Sequence, residues 1–169
     1  LRPEQHVLIH GGAGGVGSFA VQMAVDLGAR VTATAREQDR AFVEGLGATD
    51  IVDYVNDRFE DRVSAVDVVL DLVGERTHAR SWSVLRPGGV LVSIVVPPDP
   101  DEAAKHQARG TFFVVEPDRG QLETIAQLID SGRLTPIVDR VFPLADARAA
   151  YEGLRTEHHQ GKVVLHVAG

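Results

Sequence analysis

Glycine recurs near the start of this chain at the spacing G-x-G-x-x-G, in Gly12-Ala13-Gly14-Gly15-Val16-Gly17, directly behind the apolar run Val7-Leu8-Ile9. Without side chains in the way, backbone N–H groups can close on a bulky anion, and a helix opening there adds the positive end of its dipole. The chemistry open to such a loop is holding the phosphates of a nucleotide. By itself the pattern is weak, because glycine-rich turns also serve purely structural ends. Its surroundings strengthen it. Val16, Phe19, Ala20, Met23, Ala24 and Leu27 follow at the i, i+3, i+4, i+7 spacing of a helix with one apolar stripe, and Gly28 closes it. Strand, glycine turn, helix and second strand are the setting of a dinucleotide fingerprint. A structural turn, or a methyltransferase using the loop for another nucleotide, are the alternatives.

In a dinucleotide site an Asp or Glu about 20 residues beyond the loop, at the end of the second strand, accepts hydrogen bonds from ribose hydroxyls. Here that strand, Val31 to Ala35, runs into Arg36, and Arg40 lies one helical turn further on the same face. Two guanidinium groups would offer a ribose 2′-phosphate forked, charge-assisted hydrogen bonds. Glu37 falls within the same count and is the rival for an NAD-type contact. A solvated helix start, with Arg36 and Arg40 balanced by Glu37 and Asp39, is the plain structural reading. Position after the second strand favours NADP(H) as the cofactor.

Other chemistry is sparse. The chain has no cysteine, so a thiolate zinc site is excluded, and the adjacent His158 and His159 cannot both face one ion and read as solvated. His10, at the mouth of the loop, reads as a packing residue. Asp71, ending a strand, has a general base as its functional reading and a loop cap as the stronger structural one. Gly-x-Ser-x-Gly is absent, which removes the simplest hydrolase. No catalytic and no metal-binding residue is assigned.

The elements that must position these residues alternate along the chain. Strands are expected at His6 to His10, Val31 to Ala35, Asp50 to Asp53, Val66 to Asp71, Val90 to Val96 and Thr111 to Val115. Helices are expected at Asp39 to Leu46, Thr77 to Leu85 and from about Asp118 to Ile129, with a turn at Arg86-Pro87-Gly88-Gly89 and one long loop from Pro97 to Gly110. The fold class is therefore α/β: a Rossmann-type, doubly wound parallel sheet of about six strands with helices on both faces. A short extended segment at Asp139 to Phe142, a helix at Leu144 to Leu154 and a final strand at Lys162 to Val167 follow. The 169 residues, 44% hydrophobic and 24% charged, suit one globular domain. A net charge of −7 speaks against nucleic acid as the main partner. The apolar runs fall far short of the ~20 residues of a spanning helix. No secretory leader is visible and the absence of cysteine suits a reducing compartment, so a cytoplasmic location is expected.

Four ordered segments carry a family likeness: Val7 to Ser18 (VLIHGGAGGVGS), Leu46 to Tyr54 (LGATDIVDY), Val69 to Gly74 (VLDLVG) and Leu85 to Val92 (LRPGGVLV). Val138 to Leu144 and Gly161 to Leu165 resemble the closing segment of the same family. The chain resembles the zinc-independent quinone oxidoreductase branch of the medium-chain dehydrogenase/reductase superfamily over nearly its whole length. The resemblance implies that Gly14, Gly15 and Val16, with Gly12 in the same loop, present backbone to the pyrophosphate. It puts Tyr54 against the adenosine 2′-phosphate, and Val73 and Val95 near the ribose and nicotinamide. Phe112 and Phe113 fall where the sixth strand passes the nicotinamide end. A half-buried tyrosine at a strand end is the competing role for Tyr54, and ordinary core or interface packing for both phenylalanines.

The resemblance also implies an N-terminal GroES-like catalytic domain that this chain lacks. On that reading residues 1–135 form the dinucleotide domain, and residues 136–169 a segment that packs into the absent domain. The unpaired final strand is then covered by a second molecule or folds back on its own domain. A homodimer through the sixth strand, Thr111 to Val115, is the expected assembly. The expected function is hydride transfer between NADPH and a quinone, enone or similar carbonyl substrate. Alternatives are an enoyl reductase or alcohol dehydrogenase of the same superfamily, or a non-catalytic dinucleotide-sensing module.

Overall fold

Val7, Leu8 and Ile9 are all buried because their strand is covered on both faces, which a continuous apolar run permits and an alternating one does not. The computed structural model describes residues 1–167, the side chains of residues 75 and 76 excepted. In chain order the elements begin with β1 (His6–His10), α1 (Gly17–Asp26), β2 (Arg30–Ala35), α2 (Arg40–Gly45), β3 (Asp50–Asp53), β4 (Val66–Asp71) and α3 (Glu75–Ser81). There follow β5 (Leu85–Ser93), α4 (Pro100–Lys105), β6 (Arg109–Phe112), α5 (Arg119–Asp130), β7 (Val138–Pro143), α6 (Ala147–Thr156) and β8 (Lys162–His166).

The first six strands make one sheet in the order β3-β2-β1-β4-β5-β6, each pair parallel. This is the Rossmann-type order. The winding reverses between β1 and β4, which opens a crevice at the carboxyl ends of those strands. Side chains alternate across the sheet. Val7 and Ile9 join Val21 and Ala24 of α1 and Val43 of α2 on one face. Leu8 joins Val52, Phe59, Val69, Trp82 and Leu91 on the other. Leu8 and Ile9 are fully buried, each contributing roughly 1.5–3 kcal/mol by leaving water.

Three differences from the sequence reading reshape the sheet, besides shifts of a few residues at the ends of other elements. The strand expected at Val90 already starts at Leu85: Val66 pairs with Leu85 and Val68 with Val90, so Arg86 to Gly89 form an excursion inside β5. The Pro97 to Gly110 loop contains α4. Asp99 caps it by accepting from the Asp101 N–H at 2.8 Å, and Pro100 supplies the fixed φ of a first helical position. By taking up chain before β6, α4 lets that strand pair from Arg109, two residues before the expected Thr111. Phe113, Val114 and Val115 continue beyond it, exposed.

The C-terminal segment folds back on its own chain. β8 pairs in parallel with β7 as a separate two-stranded sheet. The Gly161 N–H donates to the Ala13 carbonyl at 3.0 Å, tying this pair to the glycine loop. At the other end of the unit, Gln22 of α1 bonds both backbone groups of Thr135, and Arg133 forks onto Asp26 at 2.6–2.8 Å.

His10 ends β1 wholly buried, its ring edge-on to Phe59. Ser81 gives its hydroxyl proton to the Thr77 carbonyl and so accepts from His10 Nε2 at 3.0 Å, which selects the neutral Nε2–H tautomer. Burial pushes this imidazole down to about 4, with the Asp71 carboxylate opposing the shift. Between that value and an ordinary histidine pKa the unfolded chain binds the extra proton, so stability is complete above the window and falls as pH falls through it. His10→Asn is therefore expected to flatten the loss. The stability gap between wild type and variant shrinks by on the order of 3 kcal/mol on acidification across the window, read from urea midpoints. A gap independent of pH would contradict a neutral, buried His10.

Candidate functional site

The turn from β1 into α1 is held from below by β2. The Gly11 N–H donates to Thr34 Oγ1 at 3.1 Å and the Gly12 N–H to the Thr34 carbonyl at 3.0 Å. The chain then doubles back so tightly that a Cβ on Gly17 would stand 2.0 Å from the Gly11 carbonyl oxygen. A Cβ on Gly12 would meet that of Ala33 at 2.8 Å, so Gly12 seats the loop on the sheet and does not line the groove. Gly14 and Gly15 do line it. α1 starts without a side-chain cap and without an acid in its first turn. Among the described residues the N–H groups of Gly15 and Val16 find no acceptor. Free donors at a helix N-terminus make a site for negative charge.

The groove above this loop holds about 440 Å³ and runs from Gly14, Gly15 and Val16 to Arg36 and Tyr54, with Leu72 and Ile94 along its wall. A second cavity of about 440 Å³ shares Gly11, Thr34 and Tyr54 with it and is lined by Val73, Phe59, Thr77 and Arg80. Three strand ends support the walls by one device, a buried polar side chain that accepts from the N–H groups of the loop that follows. Asp53 holds Val55 at 3.1 Å. Asp71 holds Val73 and Gly74 at 3.1 and 2.9 Å through Oδ1, while His78 Nδ1 donates to its Oδ2 at 2.7 Å. Ser93 holds Val95 and Val96 at 3.2 and 3.1 Å. Asp71 is thus a loop cap, committed on both oxygens. Val95 lies against Gly74, where a Cβ would approach its Cγ1 to 2.9 Å.

Arg36 and Tyr54 meet at the far end of the groove, where Arg36 Nε donates to the Tyr54 hydroxyl at 2.8 Å. Arg40 lies elsewhere. Its guanidinium grips Glu37 at 2.7–3.0 Å and reaches the Ile51 carbonyl at 3.2 Å, so it lines neither cavity. The Arg40 guanidinium holds the Glu37 carboxyl below its ordinary pKa. The two arginines read as one pair in the sequence therefore separate, because a three-residue 3-10 turn at Glu37–Asp39 rotates Arg40 toward its own acid. Phe113 is half exposed beyond β6 and lines neither cavity.

His158 is exposed and His159 partly so, as a solvated reading expects, but neither is without a role in the groove wall. His158 Nε2 donates to Asp39 Oδ1 at 2.8 Å, Gln160 Nε2 donates to the same oxygen at 2.7 Å, and His158 and His159 both line the groove. Lys162 crosses Gly15, its Nζ 2.9 Å from where a Cβ there would stand. No local pattern announces these contacts, since Asp39 and His158 lie 119 positions apart. They exist because the Gly161–Ala13 hydrogen bond draws the tail across the loop.

The strand order and glycine groove define a Rossmann-type nucleotide-binding domain. Residues 46–165 match the family of zinc-binding dehydrogenases, and the chain belongs to that family as a C-terminal domain of the medium-chain dehydrogenase/reductase superfamily. It is similar to the quinone oxidoreductase of Coxiella burnetii, with a TM-score of 0.93 and 32% identity over 99% of this chain and 54% of that one. The enoyl reductase CurK superposes with a TM-score of 0.84 and 30% identity over 98% of this chain and 56% of its own. The chloroplastic NADPH-dependent alkenal/one oxidoreductase of Arabidopsis thaliana is 34% identical over 95% of this chain and 40% of its own length. The chain thus spans about half the length of these relatives. Despite the family's name, no group of three or more His, Cys, Asp or Glu side chains that could hold a metal ion occurs among the described residues. No helix there is long and apolar enough to cross a membrane.

The close approach at Gly17 gives a contrast of neighbours. Gly17→Ala drives a methyl into backbone and is expected to cost about 3 kcal/mol or more. At Gly14 the nearest obstacle is 3.4 Å away, so Gly14→Ala should remain within ~1 kcal/mol of wild type. Thermal unfolding of the two variants checks this, and equal losses would contradict the loop geometry.

Proposed function

We propose that this chain is the cofactor-holding domain of an oxidoreductase that transfers hydride between NADPH and a quinone, an enone or a similar carbonyl compound. The observation that carries the reading is a groove with free backbone donors at one end and Arg36 bonded to Tyr54 at the other. The groove fits a dinucleotide. Gly14, Gly15 and Val16 would hold the pyrophosphate, with Lys162 adding a cation above Gly15. Arg36 and Tyr54 would hold the adenosine 2′-phosphate, and the second cavity would take the adenine end, so that Val73, which lines it, would serve the adenosine half and not the nicotinamide end to which the family likeness assigned it. When bound, NADPH supplies the hydride, and the protein's part is orientation and exclusion of water. Val95, set by Ser93, would bound the nicotinamide end, and Phe113 lies further out beyond β6.

We also propose that the facing wall for the substrate comes from a GroES-like domain of the kind the family likeness implies. The names of two relatives, an alkenal/one oxidoreductase and an enoyl reductase, support an activated double bond as substrate, and enoyl reduction is the second reading. A homodimer through β6 is supported by the edge position of that strand and by Phe112, Phe113, Val114 and Val115, all exposed there.

Titration with NADPH and NADH tests the cofactor. NADPH is expected to bind tighter, and Arg36→Ala to lose roughly tenfold or more toward NADPH and little toward NADH, the effect of removing a charge-assisted hydrogen bond. Equal affinities untouched by the substitution would overturn the assignment.

A further inference from the structure

The corner of the groove after β2 holds more acid than a phosphate site should tolerate. Glu37, Asp39 and Asp53 all lie within a few residues of Arg36 or Tyr54, and an unmasked carboxylate there would favour ribose hydroxyls and repel a 2′-phosphate. Each is spent on a partner. Glu37 is gripped by the forked guanidinium of Arg40. Asp53 is committed to the Val55 N–H and the Asn56 amide. Asp39, although it lines the groove, is only 2% exposed and has both His158 Nε2 and Gln160 Nε2 on one oxygen. Among the described residues Arg36 makes no direct ion pair with an acid; its hydrogen bond goes to the neutral hydroxyl of Tyr54, and Asp39 acts on it only through space.

We infer that the preference of this site for a 2′-phosphorylated cofactor is set by masking of its acids. Arg40, and His158 with Gln160 from the far end of the chain, are positioning residues that keep Glu37 and Asp39 from opposing Arg36. The inference rests on the NADP(H) reading above and deepens it. Arg40 thereby acquires a part in specificity without reaching the phosphate. The C-terminal segment acquires one as well, since only its return across the glycine loop brings His158 to Asp39.

Adenosine 2′,5′-bisphosphate and adenosine 5′-monophosphate are suitable probes, because they differ at the 2′-position and need no nicotinamide. Titrating the 169-residue chain with both gives a preference ratio for each variant. Unmasking one carboxylate near a doubly charged phosphate, by removing both of the Asp39 donors in the double variant His158→Ala, Gln160→Ala, is expected to lower that ratio about fivefold to tenfold. Adding Asp39→Asn should restore it, whereas a merely structural role for His158 would not be rescued by removing the charge of its partner. Arg40→Ala and its rescue by Glu37→Gln form a second arm that stands even if the first variant fails to fold. Ratios unchanged in the His158 and Gln160 double variant and in Arg40→Ala overturn the masking, and losses that the second substitutions do not restore overturn it too, because the removed side chains would then act on the phosphate directly. A wild-type chain that binds both probes equally brings down the NADP(H) reading itself, and the masking with it.

Discussion

The whole site depends on how closely Gly17 passes the carbonyl of Gly11. β1 and α1 must be joined within six residues, and the helix must start at the edge of the sheet with its N-terminus facing the crevice. A Cβ at Gly17 would lie 2.0 Å from that oxygen, so any side chain there pushes the helix away from the strand. Once this crossing is made, much else follows. Among the described residues the N–H groups of Gly15 and Val16 are left without acceptors at the crevice, and Val21 and Ala24 are brought down onto the apolar face beside Ile9. The same backbone geometry thus links core packing to the binding of charge.

A parallel sheet puts every strand's carboxyl end on one edge, where the last N–H groups of each turn have no neighbouring strand to accept them. In this chain Thr34, Asp53, Asp71 and Ser93 meet that need, one at each of four strand ends. The result is a rim of loops held by buried side chains, with Tyr54, Val73 and Val95 projecting from positions next to the caps. A carboxylate buried for this purpose is costly unless it is fully bonded, which is why Asp71 has partners on both oxygens, from Val73, Gly74 and His78. Support falls to the capping residues, and the side chains one or two positions on are left free to face the crevice.

What was legible in the sequence was whatever local pattern determines. The glycine spacing, the stripe from Val16 to Leu27 and the apolar runs of β1 and β4 point to a Rossmann-type, doubly wound parallel sheet. The short helix α4 was hidden because six residues carry no periodicity, although Asp99-Pro100 is a helix start in its own right. The register excursion at Arg86 to Gly89 was hidden because a Pro-Gly-Gly turn looks the same inside a strand as before one. At the site, Arg36 could be placed by counting from the loop, since strand length fixes that distance. Arg40 could not, because its direction depends on a 3-10 turn in which Glu37 competes for it. Contacts of the tail were beyond reach, since they depend on two ends of the chain meeting.

A net charge of −7, taken alone, argues against an anionic ligand. Net charge, however, acts over the Debye length, about 8–10 Å at moderate salt, and beyond that a face is screened. What a bound phosphate senses is the local inventory. Along the groove that inventory consists of backbone donors at Gly15 and Val16, the ammonium of Lys162 and the guanidinium of Arg36, while the nearby carboxylates of Glu37 and Asp39 are each bonded to a donor. An acidic protein can therefore hold a pocket of opposite character, provided that its acids are committed elsewhere. The overall charge speaks against an extended polyanion, which must lie across many faces, and leaves a single dinucleotide in one crevice unopposed.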